Sequence, residues 1–419
     1  MTASPAPAVV RVRALACVGA LAGALVFATL APMVWATQAA GAPSVREGEH
    51  EGASYVISVP EKWNGGLVMF AHAYQGAGPG RGSVPASTLA SYLGANGYAW
   101  AASGFRSRGY RPDWFVEDTL ALRDRVVKEL GRPRWTIIHG IAMGGHVAIA
   151  SLELHPDAYQ GAFIECGNID GVGLADWLYA YTAVAEYFSG LPLLDTPRPA
   201  FDGLVSGAWL SLIGRPGDYT ERGRRFDSVV KHLAGGDVPL RLEGMSEGYL
   251  WNLNPRDPGP QRTQEFTRHA DTRQIVYDID PGLGLDAATL NREIRRVTPA
   301  PGARSRETNP VLAELTGKIR GPVIALHETA DFRVPFRLQQ NYRRRAQAAG
   351  AGHWLVQRAV RWPGHCSFDG AVREQAFDDL VAWMERGVVP AGDDVLGDVT
   401  KLGLRWTPAL HPADPARKP

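Results

Sequence analysis

Three short stretches of this 419-residue chain carry side chains of the kinds that acyl-transfer chemistry uses. The first, HGIAMGGH at 139–146, follows the apolar run WTII and puts Gly140 and Gly144 on either side of residue 142. A strand, a tight glycine-flanked turn and a helix present a nucleophile well, because glycines remove the side chains that would collide as strand and helix close together. Here the presented residue is Ala142, which has no hydroxyl, thiol or charge. The second stretch, PVIALHETADFRVP, sets Asp331 just beyond an apolar run, and the third, WPGHCSF, sets His365 beyond the next one. An imidazole takes the proton of a nearby nucleophile, and a carboxylate holds the imidazole in place. The set serves that chemistry except at Ala142.

Rival assignments remain open at this level. Glu165 or Asp170, at the end of the strand after the glycine turn, competes with Asp331 as the acid. His72 and His139 are expected to hold backbone groups near the site. GAGPG at 76–80 is too short and misplaced for a phosphate-binding turn. No His, Cys or carboxylate cluster has the spacing of a zinc site, so neither metal nor cofactor is expected.

The elements that would position these residues follow from the apolar pattern. YVISV (55–59), LVMFA (67–71), YAWAA (98–102), WTII (135–138), AFIEC (162–166), VIAL (323–326) and HWLVQRAV (353–360) read as strands. Helical faces alternate with them: Leu89 and Leu93; Val116, Leu120, Val127 and Leu130; Val147, Ile149 and Leu152. Residues 335–349 and 371–386 continue the pattern. Short, nearly continuous apolar strands alternating with helices predict an α/β fold, a mostly parallel sheet with helices on both faces. The rhythm breaks over 168–308, where Leu174, Trp177, Leu178, Tyr181, Val184 and Phe188 recur at helical spacing. An inserted, largely helical cap is expected there. Core segments then span 50–167 and 309–390, and a weakly periodic tail, 391–419, is expected to lie on the surface.

The N-terminus differs in kind. Arg11 and Arg13 precede an apolar stretch from Ala14 to Trp35 and small residues around Ala36 and Ala39. This is the pattern of a signal peptide over 1–40, which predicts a secreted or periplasmic protein. An uncleaved leader acting as membrane anchor is the alternative. Lys and Arg number 44 against 43 Asp and Glu, so net charge gives no argument for nucleic acid or an anionic membrane as partner. The basic clusters at 222–225 and 341–345 are expected to be solvated faces. Oligomeric state is left open.

The order glycine-turn nucleophile, acid, histidine, each at a strand end, resembles the α/β-hydrolase superfamily, in the branch of exported bacterial esterases with a large cap. The resemblance covers roughly residues 50–390. It implies a triad at Ala142 (where serine is usual), Asp331 and His365, with oxyanion donors from the backbone N–H groups of Met143 and Tyr74. AHAYQG carries Ala73 where that family usually has glycine. The GAGPG stretch loosely resembles the oxyanion loop of exported peptidases of this fold. Cys166 and Cys366 would lie near the catalytic edge of the sheet, so a disulfide is a candidate pairing in an exported chain. The implied substrate is a small hydrophobic ester or lactone, with Trp177, Tyr181 and Trp209 as candidate pocket residues. Ala142 leaves three readings open: a hydrolase scaffold lacking its nucleophile, a natural ligand-binding protein on a silent hydrolase fold, or a peptidase-like hydrolase.

Overall fold

The computed structural model describes residues 43–196, 200–253 and 268–417; the expected leader lies outside them. Strands β1 (Ser44–His50), β2 (Ala53–Val59), β3 (Gly66–Ala71), β4 (Ala99–Ser103), β5 (Trp135–Ile141) and β6 (Gly161–Glu165) come first. A small ribbon, β7 (Gly214–Arg215) and β8 (Asp218–Tyr219), sits in the insert, and β9 (Val323–Glu328) and β10 (Leu355–Val360) follow it. The main sheet runs β1-β2-β4-β3-β5-β6-β9-β10, antiparallel at β1/β2 and β2/β4 and parallel from β4 onward.

Every residue of β3, β4, β5, β6, β9 and β10 is buried, as their nearly continuous apolar runs predict. Helices α1 (Ala90–Ala95), α2 (Pro112–Leu130), α3 (Met143–Leu154), α4 (Gly173–Ser189), α5 (Glu221–Ala234), α6 (Phe336–Ala348) and α7 (Gly370–Arg386) supply the other layers. Two separate apolar cores result, one shared by α2, α3 and α6, the other by α1 and α7. A mostly parallel sheet sandwiched in this way is the α/β-hydrolase arrangement. The sheet begins earlier than expected, because β1 was not visible in the sequence. Its residues, SVREGEH, are nearly all exposed and pair with β2 through backbone bonds alone.

The insert is largely helical, built from α4, α5 and shorter helices around the β7/β8 ribbon. The tail does not hang free. Asp393 donates its N–H to the Gln357 carbonyl (2.7 Å), and its Oδ2 accepts the Ala359 N–H (2.8 Å). The Arg361 guanidinium is buried, donating to the carbonyls of Leu402 (2.7 Å) and Thr400 (2.6 Å) and to the Asp414 carboxylate (2.8 Å). The tail thus covers the open edge at β10, which would otherwise offer unpaired backbone groups to another strand. Among the described residues no helix is long and apolar enough to cross a membrane.

Candidate active site

The glycine turn forms as expected between β5 and α3. Ala142 sits there with φ 51° and ψ −113°, a conformation that L-residues avoid. A Cβ on Gly140 would collide with the Gly144 carbonyl, and one on Gly144 with the Ala71 carbonyl. These contacts explain both glycines and pull the loop after β3 against the start of α3. The Ala142 N–H donates to the Glu165 carbonyl (3.1 Å), and its own carbonyl accepts the Asn168 N–H (2.9 Å). Met143 is the first residue of α3, so its N–H has no intrahelical acceptor and lies at the positive end of the helix. Tyr74 lies on the loop that follows β3. His72, on that loop, donates Nδ1–H to the Ala73 carbonyl (2.7 Å), as expected of a histidine holding backbone; burial lowers its pKa to about 4.

Beyond β9 and β10 the other two residues meet. His365 Nδ1 donates to Asp331 Oδ2 at 2.6 Å. The second Asp331 oxygen accepts the N–H groups of Arg333 and Val334, both at 3.0 Å, which fixes the carboxylate. Asp331 is buried while the His365 ring stays 18% exposed, leaving Nε2 as the accessible nitrogen of an oriented base. Ala142, Asp331, His365 and the loop carrying Tyr74 therefore all stand at the C-terminal edge of one parallel sheet.

The rival acids are engaged elsewhere. Glu165 accepts hydrogen bonds from His139 Nε2 (2.9 Å), the Thr88 hydroxyl (2.6 Å) and Arg373 Nε (2.5 Å). Burial opposes its charge, yet the contacts with His139 and Arg373 hold its carboxyl below the usual range. Asp170 pairs with Arg345 (2.6 Å) and Asn341 (2.9 Å). His139 does not hold backbone: it links Ser87 (3.3 Å) to Glu165 through side chains, one layer beneath the turn.

Three supporting residues carry no signal in the sequence. Arg373, besides meeting Glu165, donates to the carbonyls of Cys366 (3.3 Å) and Phe368 (2.6 Å), bracing the histidine loop. Glu328 accepts the Ser367 N–H at 2.5 Å; burial and the neighbouring Asp331 raise its carboxyl well above the usual value. Thr88 ties Glu165 to the start of α1. Their contacts through the Glu165 and Glu328 carboxylates span 39 to 208 positions in sequence, so no local pattern marks them.

Cys166 and Cys366 are joined as a disulfide with Cα atoms 5.2 Å apart, which anchors the histidine loop to the end of β6. The expected aromatic pocket is corrected. Trp177, Tyr181 and Trp209 are 4%, 0% and 0% exposed; they pack against Phe226 and Tyr249 of the cap and against Phe332, next to Asp331 in the loop after β9. Trp177 borders a cavity of about 560 Å³, whose other walls include Asp170, Asp176, Arg304, Arg337 and Arg345. Nor is the cluster at 341–345 a solvated face, since Arg343 reaches Gln357 (2.9 Å) and Arg345 reaches Asp170.

No protein-family model matches the chain. It is similar to o-phthalyl amidase of Xanthobacter agilis, at 21% identity over 404 residues, covering 81% of this chain and 87% of the relative. Among solved structures it is similar to feruloyl esterase B from Aspergillus oryzae (15% identity, TM-score 0.49, 82% of this chain and 80% of that one). Another is the acylaminoacyl peptidase of Pyrococcus horikoshii (11% identity, TM-score 0.44, 85% of this chain); this chain spans only 44% of that protein.

Proposed function

We propose that this chain is the scaffold of an exported serine hydrolase for hydrophobic carboxylic esters, lactones or amides, with Ala142 standing where the catalytic hydroxyl belongs. The observation that carries the reading is the backbone of Ala142: φ 51°, ψ −113°, wedged between two glycines that admit no Cβ. Holding a non-glycine residue there costs about 1–3 kcal/mol. A methyl group gains nothing from such presentation, whereas a hydroxyl gains a fixed seat at the same sheet edge as an oriented base. The His365–Asp331 pair at 2.6 Å supports the same reading.

With a hydroxyl at position 142, attack on the substrate carbonyl would pass its proton to His365 Nε2. Asp331 would hold the imidazolium, and the N–H groups of Met143 and Tyr74 would face the developing oxyanion. Water would then release the acyl group by the reverse proton path. Removing the nucleophile from such a site costs about 10⁶ in kcat and leaves roughly 10³–10⁴ over water. The chain as it stands binds substrate and scarcely turns it over. The amidase among its relatives favours including C–N bonds in the substrate class.

The test is Ala142→Ser assayed on short- and medium-chain nitrophenyl esters and on nitroanilides. A gain of several orders of magnitude, abolished by adding His365→Ala, is the expected result. A folded Ala142→Ser protein as inactive as its parent would instead favour a ligand-binding protein on a silent hydrolase fold. Relative rates on ester and anilide decide the bond class.

A further inference from the structure

Folding gathers groups that chain order keeps far apart. Cys166 Sγ, Cys366 Sγ and a ring nitrogen of His365 all lie within 4.8 Å of one another, although Cys166 is 200 positions from Cys366. Such a cluster has no sequence spacing to reveal it. We propose that, once the Cys166–Cys366 disulfide is reduced, these three residues form a binding site for zinc or a similar divalent cation.

The donor set is of the kind zinc prefers, two thiolates and an imidazole, with a fourth position left for water. Tetrahedral zinc spaces its sulfur ligands about 3.8 Å apart, so the two sulfurs, about 2 Å apart when bonded, must part by nearly 2 Å after reduction, within reach of side-chain rotation. Orientation of the imidazole is already set. His365 Nδ1 donates to Asp331 at 2.6 Å, which leaves the lone pair on Nε2. A carboxylate behind a metal-binding histidine fixes the tautomer and raises the basicity of the ligand nitrogen. Both cysteine backbones are also held without the disulfide. Cys166 donates its N–H to the Leu326 carbonyl (2.8 Å), Cys366 accepts from Arg373 (3.3 Å), and Ser367 is tied to Glu328 (2.5 Å). Cys166 is buried, while Cys366 and His365 are partly exposed and give an ion its way in.

The chemistry balances with a phosphine as reductant. The phosphine gives two electrons to the disulfide and takes up oxygen from water; the two protons of that water complete two thiols. Zinc then displaces both thiol protons. With the metal on Nε2, His365 could no longer accept a proton, a consequence that rests on the hydrolase reading; the site itself does not.

The full-length chain, reduced with a phosphine and exchanged into oxygen-free buffer, should be titrated with Co²⁺ as a spectroscopic probe. One equivalent should bind, giving thiolate-to-cobalt absorption in the near ultraviolet, and one equivalent of zinc should bleach it. The oxidised chain and reduced Cys166→Ser should show no such band, and His365→Ala should weaken binding at least tenfold. Zinc should also raise the Tm of the reduced chain and leave that of the oxidised chain unchanged. The proposal is overturned if reduced parent and reduced Cys166→Ser give the same spectrum, if His365→Ala binds as tightly as the parent, or if the reduced chain loses its native circular dichroism with zinc present. None of these readouts depends on hydrolysis, so an inactive Ala142→Ser would leave the result intact.

Discussion

At the scale of single residues, Ala142 stands where strain and chemistry meet. Its positive φ is a strain that glycine would not feel. Ala142→Gly is therefore expected to raise stability by about 1 kcal/mol, read as a higher midpoint in urea denaturation, the reverse of the usual loss on Ala→Gly. Position 142, Asp331 and His365 were all legible in the sequence, because each sits in a short turn whose chemistry is local. Glu165 was read as a rival acid because a carboxylate at a strand end looks the same whichever neighbour it meets. Only the fold shows that His139, Thr88 and Arg373 claim it. Trp177, Tyr181 and Trp209 illustrate another ambiguity. Aromatics at helical spacing look alike whether they line a pocket or fill a core, and here they are buried in the cap and against Phe332 of the Asp331 loop.

At the scale of elements, α3 carries both the turn and the joint to the residues that precede β9. His146, on its first turns, donates Nε2–H to the Val311 carbonyl (2.9 Å) and accepts from the Tyr110 hydroxyl (3.2 Å). Complete burial lowers its pKa to about 4, so the folded state holds it neutral while the unfolded chain protonates it below about 6.5. The unfolded state then binds more protons, and stability falls as pH drops from 6.5 toward 4. His146 contributes at most about 3 kcal/mol to that loss. His146→Gln, compared with the parent by urea denaturation at pH 7 and pH 4.5, should lose correspondingly less stability between the two. Equal losses in both proteins would remove His146 from the explanation. Among elements, the buried strands were legible from their nearly continuous apolar runs. β1 was not, since a polar edge strand held by backbone bonds alone carries no apolar signature.

At the scale of the whole molecule, two long-range ties hold the catalytic edge and the sheet's end: the Cys166–Cys366 disulfide and the tail along β10. The tail's anchor is the Arg361–Asp414 pair, whose side chains are 2% and 0% exposed. Asp414→Ala leaves that guanidinium buried with only carbonyl partners and should cost about 3–5 kcal/mol in urea denaturation. A loss below about 1 kcal/mol would mean that the tail adds little to the fold. The central claim is that position 142 is a nucleophile's seat, and covalent labelling tests it most directly. Intact-mass analysis after treatment with a fluorophosphonate should show one adduct per molecule on Ala142→Ser, mapped by peptide digestion to position 142, and none on the parent chain. Fluorophosphonate that leaves folded Ala142→Ser unmodified, or that labels parent and variant alike at another residue, would contradict it.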